Sequence, residues 1–139
     1  MKERVFLDTN VLVYLFDADA PAKQQRARAL LSIHELRAQM ILSTQVLQEF
    51  YVSVTRELAS PLDPDTALKA VQDLGVFPVV QIDTPLILLA IQRSRKAKVS
   101  FWDALILESA LVAGTTLLYS EDFQDGAVFG KLRIENPFK

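Results

Sequence analysis

What most constrains this chain is the end-to-end alternation of short apolar runs with helix-forming stretches. Val5–Leu7, Met40–Leu42, Val79–Ile82, Thr116–Tyr119 and Leu132–Ile134 read as strands, and each is separated from the next by helical pattern or turn residues. A βα-alternating chain folds as an α/β protein, here a three-layer αβα domain with a mainly parallel central sheet flanked by helices. No internal repeat, low-complexity tract or linker breaks the pattern, so residues 1–139 are expected to form a single domain. Half of the residues are hydrophobic, enough for a full core and too many for disorder.

Caps and breakers set the helix boundaries. Asn10–Phe16 is expected to be a short helix opened by Thr9-Asn10 and broken by the Asp17–Pro21 cluster. Pro21 opens a second helix to about Arg37, with Ala27, Leu30, Leu31 and Ile33 as its apolar stripe and Lys23, Arg26 and Arg28 on a basic face. Ser43-Thr44 caps a helix to about Leu58, with Val46, Leu47, Phe50 and Val54 facing the core. Asp63-Pro64 and Thr84-Pro85 each read as a cap followed by a first-turn proline. The first of these helices stops at Gly75, and the second ends in the basic run Arg93, Arg95, Lys96 and Lys98. A last helix spans about Phe101–Ala113, with Gly114 at its C-terminal cap.

Composition removes whole classes of chemistry. There is no cysteine, which excludes disulfides, thiolate nucleophiles, zinc–thiolate sites and Fe–S clusters, and the sole histidine, His34, rules out a multi-histidine metal site. His34 has no partner pattern and reads as structural or exposed. The net charge of -2 provides no global basic field, so any polyanion must be held by local patches or by metal. Only three apolar residues separate Arg4 from Asp8, too few for a signal peptide. The longest apolar run, Ala104–Tyr119, is interrupted by polar residues and falls short of the roughly 20 needed to span a bilayer. A cytoplasmic protein with no membrane partner is expected.

Acids mark the carboxyl ends of the strands, where open parallel sheets bind ligands. Asp8, Asp83, Glu121 and Asp122 directly follow strands, and Glu49 and Asp103 lie near helix starts that project over the same edge. Converging carboxylates repel one another, and a divalent cation or a retained proton resolves the conflict. Oxygen-only ligands favour Mg²⁺ or Mn²⁺, and two such ions about 4 Å apart suit phosphodiester hydrolysis by water. Each acid also has an ordinary role open to it: Asp8 as a helix cap, Glu49 as a solvated helix residue, Asp103 in a Ser-x-x-Asp capping box with Ser100, Glu121 and Asp122 in a surface turn, and Asp83 as the turn residue before Thr84. Phe101 and Trp102 are expected to pack in the core rather than stack on bases.

Four ordered blocks, Val5–Tyr14 with its Asp8-Thr9-Asn10, Ser43-Thr44 to Glu49-Phe50, Ser100–Ile106 with Asp103, and Leu117–Phe123 with Ser120-Glu121-Asp122, resemble the PIN-domain ribonucleases, particularly VapC toxins of toxin–antitoxin pairs. The resemblance spans nearly the whole chain. It implies a PIN-like fold and a four-acid Mg²⁺ site that hydrolyses RNA, with Asp8, Glu49, Asp103 and Asp122 as the catalytic and metal-binding acids. It also implies Thr9 and Ser120 as polar supports, a small antitoxin partner and a homodimer. At the fourth acid position Glu121, Asp122 and Asp125 crowd together, leaving the assignment open between them. Lys23, Arg26, Arg93, Arg95, Lys96 and Lys98 are candidate RNA contacts, against the alternative of solvated helix faces.

Two related acid chemistries fit poorly. A haloacid-dehalogenase-like phosphatase needs a second Asp two positions after the first, where this chain has Asn10. A receiver domain needs paired acids after strand one and a Lys after its last core strand, and this chain has neither. A non-catalytic RNA- or protein-binding module, in which the acids are only caps, is the alternative from a different class. The helices around Ala27–Leu36 and Val46–Val54 carry more apolar residues than a narrow stripe needs, which suggests a groove for an amphipathic partner segment.

Overall fold

Three residues buried on both faces, Val5–Leu7, form the central strand β1 of the computed structural model, as a short and wholly apolar run requires. The structure describes residues 3–139; Met1 and Lys2, which begin the segment read as too short for a signal peptide, lie outside them. After β1 come α1 (Thr9–Val13), α2 (Pro21–Leu31), α3 (His34–Gln39), β2 (Met40–Ser43), α4 (Thr44–Val52) and α5 (Pro64–Leu74). The second half contains β3 (Val79–Val80), α6 (Thr84–Ala97), α7 (Phe101–Val112), β4 (Leu117–Tyr119), β5 (Val128–Phe129) and β6 (Leu132–Glu135).

The six-stranded sheet has the order β3-β2-β1-β4-β6-β5 and is parallel except for the β5–β6 pair. Right-handed crossovers put α1–α5 on one face, along the β1, β2, β3 steps, and α6 and α7 on the other, on the return to β4. Phe6, Leu7, Leu12, Phe50, Leu107 and Leu118 form the centre of the main core. Leu86, Ala90, Ala104 and Leu105 make a smaller one where α6 packs across α7. Strand order reverses between β1 and β4, which places the topological switch point, and the crevice that accompanies it, directly above Asp8.

Several expected boundaries move. The helix expected from Pro21 to Arg37 breaks at Ser32-Ile33, where Ser32 Oγ donates to the Ala29 carbonyl at 2.7 Å. In a straight helix Leu36 would lie about 120° round from Leu30, and the break lets both reach the core. Ile33 leaves the stripe and is 47% exposed. The helix from Thr44 changes to a π turn over Ser53–Glu57, closed by the Leu58 N–H on the Ser53 carbonyl at 3.3 Å.

The cap of α6 is Asp83 rather than Thr84: the Asp83 carboxylate accepts from the Leu86 N–H at 3.0 Å, away from the other acids' network. Strand β3 stops at Val80, short of the expected Ile82. Strand β5 was not anticipated, since two residues carry no periodicity. Its two-residue turn has Gly130 at φ 61°, a hairpin geometry that favours glycine. Gly130→Ala is expected to cost about 1 kcal/mol, read as a melting temperature lower by a few degrees. Among the described residues no helix is long and apolar enough to cross a membrane.

Candidate active site

Asp8 directly follows β1 and is only 4% exposed, because the main core closes around the strand that leads into it. Its Oδ1 accepts from the Thr9 N–H at 2.7 Å, which caps α1, and its Oδ2 accepts from Ser120 Oγ at 2.7 Å. The capping role and a place at the switch point therefore coincide in one residue. Burial pushes the Asp8 carboxyl up to about 7; the Ser120 and Thr9 hydrogen bonds oppose the shift, and the charges of Asp122 and Glu49 add to it.

Ser120 follows β4 and uses its full hydrogen-bonding capacity. Besides donating to Asp8, its oxygen accepts from the Asp122 N–H at 3.1 Å and from Asn10 Nδ2 at 3.4 Å. Asn10 in turn donates to Asp122 Oδ2 at 3.1 Å and accepts the Glu121 N–H at 3.2 Å. One amide side chain thus fastens the loop after β4 to the start of α1. Asn10 was not among the site residues expected from sequence, although its place between Thr9 and an apolar helix offered the signal.

The second acid comes from α4. Glu49 Oε1 accepts from Thr9 Oγ1 at 2.8 Å, and Oε2 accepts from Gln45 Nε2 at 3.3 Å. That same Gln45 amide donates to the Trp102 carbonyl at 3.2 Å, joining α4 to the first turn of α7. Two acceptors facing Nε2 fix the amide's orientation, and Oε1 is buried with no donor among the described residues. Asp103 lies in the first turn of α7, its N–H held by Ser100 Oγ at 3.0 Å. Burial raises the half-buried Asp103 carboxyl, Ser100 lowers it, and the charge of Asp122 raises it further.

Of the three acids crowded after β4, only Asp122 lines the cleft. Glu121 turns the other way, accepting the Tyr14 hydroxyl and pairing with Lys23 Nζ at 2.7 Å. Asp125 accepts the Asn136 N–H at 2.8 Å. Among the described residues no three Asp, Glu or His side chains stand together as a ready-made cation cage. Thr9, Asn10 and Ser120 link Asp8, Glu49 and Asp122, whereas Asp103 is tied to them only by the charge of Asp122, and neither Asp8 nor Asp103 lines the cleft.

The cleft holds about 690 Å³ and is lined by Thr9, Asn10, Glu49 and Asp122 together with Val13, Val52 and Leu58. Trp102 also lines it. It is not the core residue expected: it is 61% exposed, while Ala104 and Leu105 take the buried positions of α7. Three of the candidate cations are already engaged, Lys23 with Glu121, Arg26 with the Pro137 carbonyl at 2.8 Å, and Arg93 with Glu108 at 2.6 Å. Arg95, Lys96 and Lys98 form no ion pair among the described residues. His34 is exposed at the start of α3, away from the acids.

Comparison with known proteins agrees with this geometry. The PIN domain family model matches residues 5–125. No curated protein sequence matches the chain. Its fold is similar to that of Mycobacterium tuberculosis VapC20, a Sarcin-Ricin loop cleaving toxin, at 21% identity over 93% of this chain and 98% of that one, with a TM-score of 0.67. A toxin-antitoxin complex from Klebsiella pneumoniae matches at 18% identity over 96% and 97% of the two chains, with a TM-score of 0.70. DNA-bound VapBC from Salmonella typhimurium matches at 20% identity over 98% and 99%, with a TM-score of 0.64. The mostly parallel sheet, the buried Asp8 at its switch point and the family match over most of the length agree: the chain belongs to the PIN domain family.

Proposed function

We propose that the protein is a divalent-metal-dependent endoribonuclease and the toxin of a toxin–antitoxin pair. The observation that carries this reading is geometric: Asp8, buried at the switch point, is bonded through Ser120 and Asn10 to the loop that carries Asp122, and Thr9 beside it holds Glu49, which gathers three carboxylates at one sheet edge. A purely structural set of caps has no need to gather carboxylates from three separate elements at one edge. The donor set fits a hard cation, since every candidate ligand is oxygen and no histidine or cysteine competes.

Asp8, Glu49, Asp103 and Asp122 would hold Mg²⁺, for which Mn²⁺ substitutes. When bound, such a cation supplies Lewis acidity toward a phosphodiester and toward water. The chain's own part is to preorganise the acids. Thr9 and Gln45 each occupy one oxygen of Glu49, and Ser120 and Asn10 hold Asp122 in register with Asp8. Asp8, pushed up to about 7, is only partly ionised near neutrality in the absence of a counter-charge, so its ionisation and cation binding are coupled.

RNA as substrate is suggested by the likeness to the Sarcin-Ricin loop cleaving toxin, and an antitoxin partner by the likeness to VapBC complexes. The mixed lining of the cleft, with Val13, Val52 and Leu58 beside Asp17 and Glu57, suits an amphipathic segment of that antitoxin. Exposed Leu88, Leu89 and Ile91 on α6 support a homodimer, and the working compartment is the cytoplasm.

The test is cleavage of single-stranded RNA with Mg²⁺, with Mn²⁺ and with EDTA, followed by analysis of the new ends. Metal-dependent products with 5′-phosphate and 3′-hydroxyl ends are expected. Ends bearing 2′,3′-cyclic phosphate overturn the reading, because they require attack by the ribose hydroxyl rather than by water. Growth arrest on induction, relieved by a co-encoded small protein, tests the toxin assignment separately.

A further inference from the structure

We infer that Tyr14, Lys23 and Phe138 are positioning residues: they clamp Glu121 outside the cleft and thereby hold its neighbour Asp122 in the geometry a cation needs. Lys23 and Arg26 then serve the loop after β4 and not the RNA. The inference rests on the nuclease reading above and deepens it.

Glu121 and Asp122 are adjacent acids in one loop, and of the two only Asp122 lines the cleft. Left free, the longer Glu121 side chain would compete with Asp122 for the same cation. Contacts from separate parts of the chain turn it away. Tyr14, about one helical turn after Asn10, donates its hydroxyl to Glu121 Oε1. Lys23, in the first turn of α2, pairs with Glu121 Oε2 at 2.7 Å and donates to the Tyr14 hydroxyl at 3.2 Å. Since Asn10 accepts the Glu121 N–H at 3.2 Å, Glu121 is fixed at its backbone and at both carboxylate oxygens. The backbone of Asp122, one residue on, inherits that restraint.

The segment after β6 completes the clamp. Asn136 Oδ1 accepts the Phe138 N–H at 2.9 Å, a local turn that sets the Phe138 ring edge-on to Tyr14, with centroids 4.9 Å apart and planes at 68°. Lys23 Nζ lies 5.0 Å from the centre of the Tyr14 ring and 5.9 Å from that of Phe138, so the ammonium is held by two rings as well as by the carboxylate. Arg26 Nε donates to the Pro137 carbonyl at 2.8 Å, and Pro137 is buried. Helix α2 thus grips this segment with one cation and Glu121 with the other. Cations engaged in this way are not free to meet a phosphate. Packing for stability alone would use the rings and would not need a chain of bonds that ends on the residue beside Asp122.

The sign of an effect on cation binding decides the matter. Lys23→Met removes a positive charge beside an acidic loop, which by charge alone tightens cation binding, whereas loss of a group that orients a ligand weakens it. Mn²⁺ binding to the full-length protein is followed by the paramagnetic resonance signal of the free ion. Lys23→Met and Phe138→Ala should each raise the dissociation constant by about 10-fold, with melting temperatures in EDTA close to that of the wild type, and Phe138→Tyr, which keeps the ring, should restore most of the loss. In cleavage assays the same two variants should lower kcat by about 10-fold and leave KM and its salt dependence unchanged. Added to Glu121→Gln, Lys23→Met should cost little more, because both act through one carboxylate.

Tighter Mn²⁺ binding by Lys23→Met, or wild-type affinity in Phe138→Ala, overturns the inference and leaves the nuclease reading standing. A raised KM with a shallower salt dependence in Lys23→Met overturns it in favour of an RNA contact. Losses that add in full to that of Glu121→Gln overturn it in favour of a general structural role. Mn²⁺ affinities that shift as expected in a protein that cleaves no RNA sustain the clamp and remove the nuclease, and a wild type that binds no Mn²⁺ overturns both.

Discussion

Replacing Asp8 by Asn is expected to make the metal-free protein more stable at pH 8 by about 3 kcal/mol, roughly 10 °C in melting temperature, while abolishing RNA cleavage. In the unfolded chain the Asp8 carboxyl ionises near 3.8, and in the folded chain it is pushed up to about 7 by burial. Folded protein thus retains a proton that the unfolded chain has lost. Stability contributed by this group is fully present below about pH 4, declines as pH rises toward 7, and is gone above it. At 1.36 kcal/mol per pH unit that gap amounts to about 4 kcal/mol. About 1 kcal/mol is returned because an amide cannot accept from both Thr9 and Ser120 as the carboxylate does.

Thermal melts in EDTA across pH 4 to 8 check the expectation, with the wild type losing stability and Asp8→Asn staying nearly flat. Mg²⁺ at about 100 times its dissociation constant should return roughly 2.7 kcal/mol to the wild type and little to the variant. A lower melting temperature for Asp8→Asn in EDTA would mean that its cap to Thr9 outweighs its buried charge.

The second large effect separates the three acids after β4. Asp122→Asn should lower kcat/KM by about 100- to 10,000-fold, the scale expected when a metal-binding carboxylate is lost and several kcal/mol of transition-state stabilisation go with it. Asp125→Asn should leave activity within about 2-fold, because its carboxylate is used on the Asn136 N–H at the far side of the loop. Glu121→Gln should fall between them, since it loosens the Tyr14 and Lys23 contacts that steady the same loop without removing a group from the cleft. Steady-state cleavage with matched circular dichroism spectra distinguishes the three. Equal losses at positions 122 and 125 would mean that the loop rearranges on binding RNA.

The alternation of apolar runs with helical patterns determined the fold class and the parallel sheet, because strands buried on both faces must be uniformly apolar and a parallel pair needs a crossover. Acids directly after strands were legible for the same reason: a chain leaving a parallel strand emerges at the ligand-binding edge. Tertiary structure alone decided what those acids do to one another. Asp8 and Ser120 are 112 positions apart in the chain, and no local pattern states that they share a hydrogen bond or that Asn10 fastens the loop carrying Asp122. Nor could spacing tell which of Glu121, Asp122 and Asp125 faces the cleft, since a tight turn sends adjacent side chains in different directions. Trp102 reversed its expected place because hydrophobicity predicts burial only where another layer exists to cover the residue. The first turn of α7 has no such cover over the Trp102 ring, which stays exposed at the cleft.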